Sequence, residues 1–209
     1  MKQKLDKFKQ SILINKNLLI FLIVLIFIGI IFGSVFALKI SENDKKIITD
    51  YLAKFINDIS ENKLNYIDTF KNSIINNFCF IIVIWILGFS IIGIPVIIFM
   101  FFNKAFIIGF SIASFIVNYG FKGILYSLLY LLPGILLFLI GITILVIYSL
   151  SLSIKLLMSV IKKKEINFRN IFNKYLVILI IVVMIVLLVS LCEAFIMPRL
   201  FKLIINIFK

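Results

Sequence analysis

The sequence predicts an all-α, polytopic integral membrane protein with about five transmembrane helices. Of its 209 residues, 63% are hydrophobic, whereas soluble domains are typically about half apolar. The apolar residues gather into runs almost free of charge, each close to the roughly 20 residues that cross a bilayer. Most runs are apolar on all sides, so lipid or other membrane helices must surround them.

The chain begins with a basic segment, residues 1–17, that holds five lysines and one aspartate. Its apolar residues share one helical face, which predicts a short helix on an anionic membrane surface in the cytosol. The first span, residues 18–38, is longer than a signal-peptide core and is expected to stay as an anchor. Within it Gly29, Gly33 and Ala37 recur every fourth residue. This small-residue stripe is a candidate for close helix packing and for partner binding.

Residues 39–72 form the longest hydrophilic stretch, with six lysines and six acidic residues. Ser41, three residues before Asp44, predicts the cap of a helix. Apolar residues then recur from Ile48 to Ile59 at the spacing of one helical face, which predicts an amphipathic helix. Two interpretations remain open for it: resting on the membrane or docking on a partner.

The apolar region that follows, residues 74–119, is long enough for two crossings, and two places qualify for the turn. Gly93 and Pro95 would break the helix there, because proline removes a backbone hydrogen bond. Alternatively they only kink a long span, and Asn103 with Lys104 makes the turn. We favour the second place, because a charge inside a span costs more than a kink.

The remaining boundaries follow from the same reasoning. The predicted segments are a kinked second span at 74–102, a short third span at 105–118, a fourth at 125–150 that contains Pro133, a basic cytosolic segment at 155–174, a fifth span at 175–197 that ends at Pro198, and an interfacial tail at 198–209. Basic residues are densest in the short segments that lie on the same side of the membrane as the N-terminus. The sequence therefore predicts a cytoplasmic N-terminus, an extracytoplasmic C-terminus and an extracytoplasmic 39–72 loop.

Composition excludes the common catalytic and cofactor sites. Histidine is absent, so neither a Ser-His-Asp arrangement nor a histidine-containing zinc site can form. No phosphate-binding loop of the Walker type occurs. The net charge of +13 comes from lysines that flank the apolar runs, which favours membrane lipids over nucleic acid as the partner. We expect no catalytic residue, no cofactor and no metal.

Glu193 is the one acidic residue inside a predicted span. Three interpretations stay open: a structural polar clamp, a carboxylate that reaches the headgroups, or a proton or cation site. Asn76 and Asn77 are predicted at a similar depth and are its candidate partners. Cys79 and Cys192 are also predicted at matching depth, as inert apolar fillers or as a disulfide.

The order and spacing of several motifs resemble the stage II sporulation protein M family of endospore-forming bacteria. The likeness covers nearly the whole chain and rests on the basic start, the amphipathic loop, Trp85-Ile-Leu-Gly88, Gly93-Ile-Pro95, Asn103-Lys104-Ala105 with Gly109, and the 192–198 motif Cys-Glu-Ala-Phe-Ile-Met-Pro. One departure concerns Pro133: distant relatives carry a His and a Glu just after this proline, but here Gly134 and apolar residues follow.

The resemblance implies a non-catalytic scaffold that acts during engulfment, when the mother-cell membrane migrates around the forespore. It implies location at the septal membrane and recruitment of two cell-wall hydrolases, stage II sporulation proteins D and P. The alternative from the residues themselves is a channel or transporter subunit that uses Glu193.

Overall fold

The computed structural model describes residues 16–162 and 168–207, and all regular structure within them is helical. In chain order the helices are α1 (Lys16–Lys39), α2 (Glu42–Ser60), α3 (Tyr66–Leu87), α4 (Gly93–Tyr126), α5 (Leu132–Lys162), α6 (Phe168–Leu191) and α7 (Met197–Ile207). Two π-helical turns, Ser127–Leu131 and Cys192–Ile196, precede α5 and α7. The all-α, polytopic class is confirmed. The predicted helix in residues 1–15 and the middle of the 155–174 segment lie outside the described residues.

Within the described part of the chain, four helical segments are long and apolar enough to cross a membrane. The longest, Gly93–Ile161, doubles back at Gly120, whose φ of 54° is in the left-handed region that favours glycine. Just beyond this bend Gly123 packs against the Phe115 backbone. The segment therefore consists of two antiparallel arms, which pack with α1, α3 and α6.

The break between the second and third arms is not where we predicted it. Helix α3 ends at Leu87 and α4 begins at Gly93, so the favoured turn at Asn103 and Lys104 is wrong, and with it the division into spans 74–102 and 105–118. Pro95 lies in the first turn of α4, where its missing N–H costs no helical hydrogen bond. Asn103 and Lys104 lie inside an unbroken stretch of α4.

Two other prolines lie within continuous helical chain. Pro133 and Pro198 are the second residues of α5 and α7, and each follows a π-helical turn. A proline ring clashes with the carbonyl four residues before it, and in both cases that carbonyl lies in the wider π turn. The prediction that Pro198 ends the last helix is therefore wrong, because the π turn accommodates the proline and α7 continues to Ile207.

Helices α1 and α4 run parallel and in close contact through small residues on both. Gly29 packs against Ala105, and Gly33 packs against the Phe106 backbone. Ser34 adds a hydrogen bond, with its Oγ 3.2 Å from the Gly109 carbonyl oxygen. The predicted small-residue stripe, including the buried Ala37, is therefore a packing surface within the chain. Because α4 covers it, the stripe is not free for a partner.

The amphipathic helix α2 is docked on one end of the bundle. Ser41 caps it by accepting a hydrogen bond from the Asp44 backbone N–H, as predicted. Its buried residues Leu52 and Ile59 belong to a cluster with residues from the ends of the other arms: Phe115, Tyr126, Phe201 and Ile205. Leu52 and Ile59 of the predicted apolar face thus pack on this chain's own helices, while Tyr51 of the same stripe is exposed. The membrane and partner interpretations stay predictions. We call this end of the molecule the α2 end.

The opposite end of the bundle is held by hydrogen bonds around Tyr175. Its hydroxyl lies 2.6 Å from Ser149 Oγ and donates to the Trp85 carbonyl oxygen at 2.9 Å. Ser153 donates to the Gly88 carbonyl oxygen at 3.0 Å. Helices α5 and α6 thus fix the chain where α3 ends, and this explains why the turn to α4 occurs at residues 88–92.

We expect Tyr175→Phe to lower the free energy of unfolding by about 2 kcal/mol, because the Trp85 carbonyl and Ser149 lose a buried partner. The measurement is thermal unfolding of the purified protein in detergent. Tyr148→Phe on α5 is the matched control, since its hydroxyl has no hydrogen bond within the described part. Equal stability of the two variants would contradict this role of Tyr175.

Candidate functional site

A polar cluster joins α3 to the chain around the second π turn. Ser73 Oγ donates to the Glu193 Oε2 atom at 2.6 Å and lies 2.9 Å from Ser190 Oγ. Asn77, buried one helical turn further along α3, donates to Ser73 Oγ at 3.4 Å. The Glu193 carboxylate is therefore held inside the bundle by a hydrogen bond. This geometry favours the interpretation of Glu193 as a structural clamp.

Helix α5 leaves room for this carboxylate at Gly134. A Cβ atom at Gly134 would lie 3.1 Å from both Cγ and Oε1 of Glu193. That distance is tighter than an ordinary van der Waals contact, so a side chain at position 134 would press on the carboxylate. The glycine that follows Pro133 thus has a steric role, which the sequence showed only as a departure from distant relatives.

Lys104 brings a positive charge to the same region. Its Nζ atom lies 4.7 Å from the ring centroid of Phe138 and 5.4 Å from that of Phe80. Within the described residues no carboxylate is within ion-pair distance of this ammonium. Phe138 lies one helical turn beyond Gly134, which contacts Glu193, so the two charges face the same part of α5. The next residue, Ala105, packs on Gly29 near the middle of α1, so Lys104 lies level with the middle of a candidate membrane-spanning helix.

These contacts explain why a lysine is tolerated where we expected a turn. Two aromatic faces attract the ammonium, and such cation–π contacts strengthen in a desolvated site. The carboxylate of Glu193 supplies the opposite charge. We call Ser73, Asn77, Lys104, Ser190 and Glu193 the charged centre. It is assembled from α3, α4, α6 and the second π turn, and it is lined by Gly134 and Phe138 of α5.

Only part of the charged centre was predicted. Asn77 is linked to Glu193 through Ser73 and has no direct hydrogen bond to it within the described residues, whereas Asn76 is exposed on the outside of α3 and Asn103 on the outside of α4. Ser73, Ser190 and the inward placement of Lys104 were missed. A signal did exist, because Ser73 and Asn77 are one helical turn apart, as are Ser190 and Glu193, so each pair shares a face.

The chemistry available at the charged centre is charge pairing and hydrogen bonding. No group of three or more histidine, cysteine, aspartate or glutamate side chains that could hold a metal lies within residues 16–162 and 168–207. Both Cys79 and Cys192 are free thiols, so the alternative of a disulfide between them is wrong for this structure. The transport interpretation of Glu193 stays a hypothesis.

The fold and the charged centre define a polytopic, all-α membrane protein whose arms meet around two partly buried groups of opposite charge, Lys104 and Glu193. The chain belongs to the stage II sporulation protein M family, whose family model matches residues 22–198. It is therefore a sporulation-related membrane protein. No curated protein and no solved structure matches the chain.

Proposed function

We propose that the protein is a non-catalytic membrane scaffold of engulfment. It recruits two cell-wall hydrolases, stage II sporulation proteins D and P, to the septal membrane of the mother cell. Membership of the stage II sporulation protein M family supports a role in sporulation. The absence of histidine from the sequence supports a task of placement, with the cutting of the wall left to the partners.

The scaffold needs a defined orientation, and the distribution of basic residues supports one. Lysines are dense before α1, and further basic residues follow α5, which favours the cytosol for both regions. Because α1 and α4 run parallel, the α2 end then faces the cell wall. The N-terminus is cytoplasmic and α7 is extracytoplasmic in this orientation.

The single observation that carries the proposal is the docked state of α2. Helix α2 is fixed to the bundle by Leu52 and Ile59, which are buried. Two large side chains beside that buried stripe, Ile47 and Tyr51, are 66% and 71% exposed. Exposed apolar and aromatic residues one helical turn apart are typical anchors for a protein partner.

The experiment is co-purification of the full chain from sporulating cells of its host. Wild-type protein is expected to retain the two hydrolases, and Ile47→Ala combined with Tyr51→Ala to retain at least tenfold less, a loss of about 1.4 kcal/mol of binding free energy. Ile67→Ala is the matched control, because this isoleucine is 61% exposed on the first turn of α3. Wild-type protein that retains neither hydrolase would refute the recruitment.

The charged centre favours a second candidate function, a channel or transporter subunit. Intramembrane acids and lysines often mark ion pathways, and Glu193 lies in a π-helical turn, a feature frequent at functional sites. Under this alternative Glu193→Gln abolishes ion or proton flux in vesicles while the hydrolases still co-purify. Flux that is absent from the wild-type protein, or unchanged in Glu193→Gln and Glu193→Leu, would remove this candidate.

A further inference from the structure

Asn76 presents a hydrogen-bonding side chain to the outside of the bundle. It lies in the middle of the 22-residue helix Tyr66–Leu87 and is exposed, whereas the adjacent Asn77 is buried. Within the described residues its carboxamide has no hydrogen-bond partner. In the hydrocarbon core water cannot replace that partner, so an isolated carboxamide is costly there. A protein surface that offers hydrogen bonds to the carboxamide would remove this cost.

The neighbours of Asn76 extend this polar surface along α3. Asn72 lies one helical turn before it and Cys79 one turn after it, and both are exposed. Towards the α2 end, Asp68 and Lys71 of opposite charge are exposed as well. Large apolar residues of α3, among them Ile75 and Phe78, are exposed near these polar ones. The exposed residues in the middle of α1 are apolar only, for example Phe27, Ile31, Phe32 and Phe36. We call residues 68, 71, 72, 76 and 79 the α3 face.

We propose that the α3 face binds the α3 face of a second copy of this chain across a two-fold axis. A carboxamide donates and accepts hydrogen bonds, so two Asn76 side chains facing each other satisfy one another. Asp68 of each copy is placed to pair with Lys71 of the other, because a two-fold interface brings the same surface together twice. Asparagine is a known driver of helix association in membranes.

The α3 face is self-complementary in both hydrogen bonding and charge, and this favours a second copy over an unrelated helix. Asn103 provides the comparison. It is also an exposed asparagine within a membrane arm, but its exposed neighbours one turn away on α4 are Phe99 and Ile107. That surface offers neither a second polar group nor a charge pair, so it does not have the composition of the α3 face.

The test measures dimerisation of the full chain, purified and returned to lipid vesicles without any partner. The background variant is Cys192→Ala, which leaves Cys79 on the α3 face as the only thiol. Mild oxidation is expected to join two copies through Cys79. Asn76→Leu is expected to weaken the dimer about tenfold, the usual scale of an interhelical hydrogen bond, as measured by energy transfer between labelled copies.

Asn103→Leu is the matched control and is expected to leave the dimer unchanged. Asn76→Gln keeps a carboxamide and is expected to retain most of the dimer. Monomeric protein that does not cross-link through Cys79 would overturn the proposal, as would a dimer weakened by Asn103→Leu but not by Asn76→Leu. Because no hydrolase is present in the vesicles, the result is independent of the proposed scaffold function.

Discussion

Gly33→Leu will separate α1 from α4 and lower the free energy of unfolding by about 3 kcal/mol, the upper range for overpacking a tight contact. A Cβ atom at Gly33 would collide with the Phe106 carbonyl oxygen and the Phe110 backbone N. Backbone atoms cannot rotate away as a flexible side chain can, so the two parallel helices must move apart. The Ser34–Gly109 hydrogen bond would be lost as well.

Two measurements check this result. One is denaturant-induced unfolding of the purified protein in micelles, and the other is disulfide trapping between cysteines introduced on α1 and α4. Val35→Leu is the matched control, since Val35 is 43% exposed on the lipid-facing side of α1 and a larger side chain there meets no helix. Wild-type stability and trapping in Gly33→Leu would contradict the α1–α4 packing.

Glu193→Leu will lower the free energy of unfolding by about 3 kcal/mol, the upper range for removing a hydrogen bond to a charged group. The lost carboxylate leaves the Lys104 ammonium with only the rings of Phe80 and Phe138, and Ser73 loses its acceptor. The double variant Lys104→Met with Glu193→Leu removes both charges and will recover most of this loss, because no isolated charge remains.

A double-mutant cycle measures this coupling directly. Unfolding free energies of the wild type, Glu193→Leu, Lys104→Met and the double variant are compared in the same micelle. We expect the double variant to be more stable than Glu193→Leu alone. Additive losses in the double variant would mean that Lys104 and Glu193 act independently, and the charged centre would then not be an electrostatic unit.

Sequence patterns were sufficient where one helix face or one run determined the outcome. Apolar runs predicted the membrane class, and spacing predicted the amphipathic helix α2 and its Ser41 cap. The small-residue stripe at Gly29 and Gly33 predicted close packing. The helix that packs on this stripe, α4, could not be predicted, because small residues allow close packing but do not specify which helix packs there.

Predictions from the sequence were wrong where the free-energy cost of a residue inside a helix is offset by residues or backbone geometry that only the fold provides. Lys104 is costly inside a membrane helix by itself, and only the folded chain brings the rings of Phe80 and Phe138 around it. Pro198 was predicted to end a helix, but a π turn, which depends on the backbone, accommodates it. Asn76 and Asn77 are adjacent in sequence, and their opposite placement depends on the rotation of α3 against its neighbours.

The central claim, an engulfment scaffold, is tested most directly by deleting the gene in its host and following the membranes of sporulating cells with a fluorescent stain. We predict arrest with an intact or bulging septum, the mother-cell membrane failing to advance around the forespore, and rescue by the wild-type gene. Normal engulfment in the deletion strain would contradict the scaffold and leave the transport function of the charged centre as the candidate.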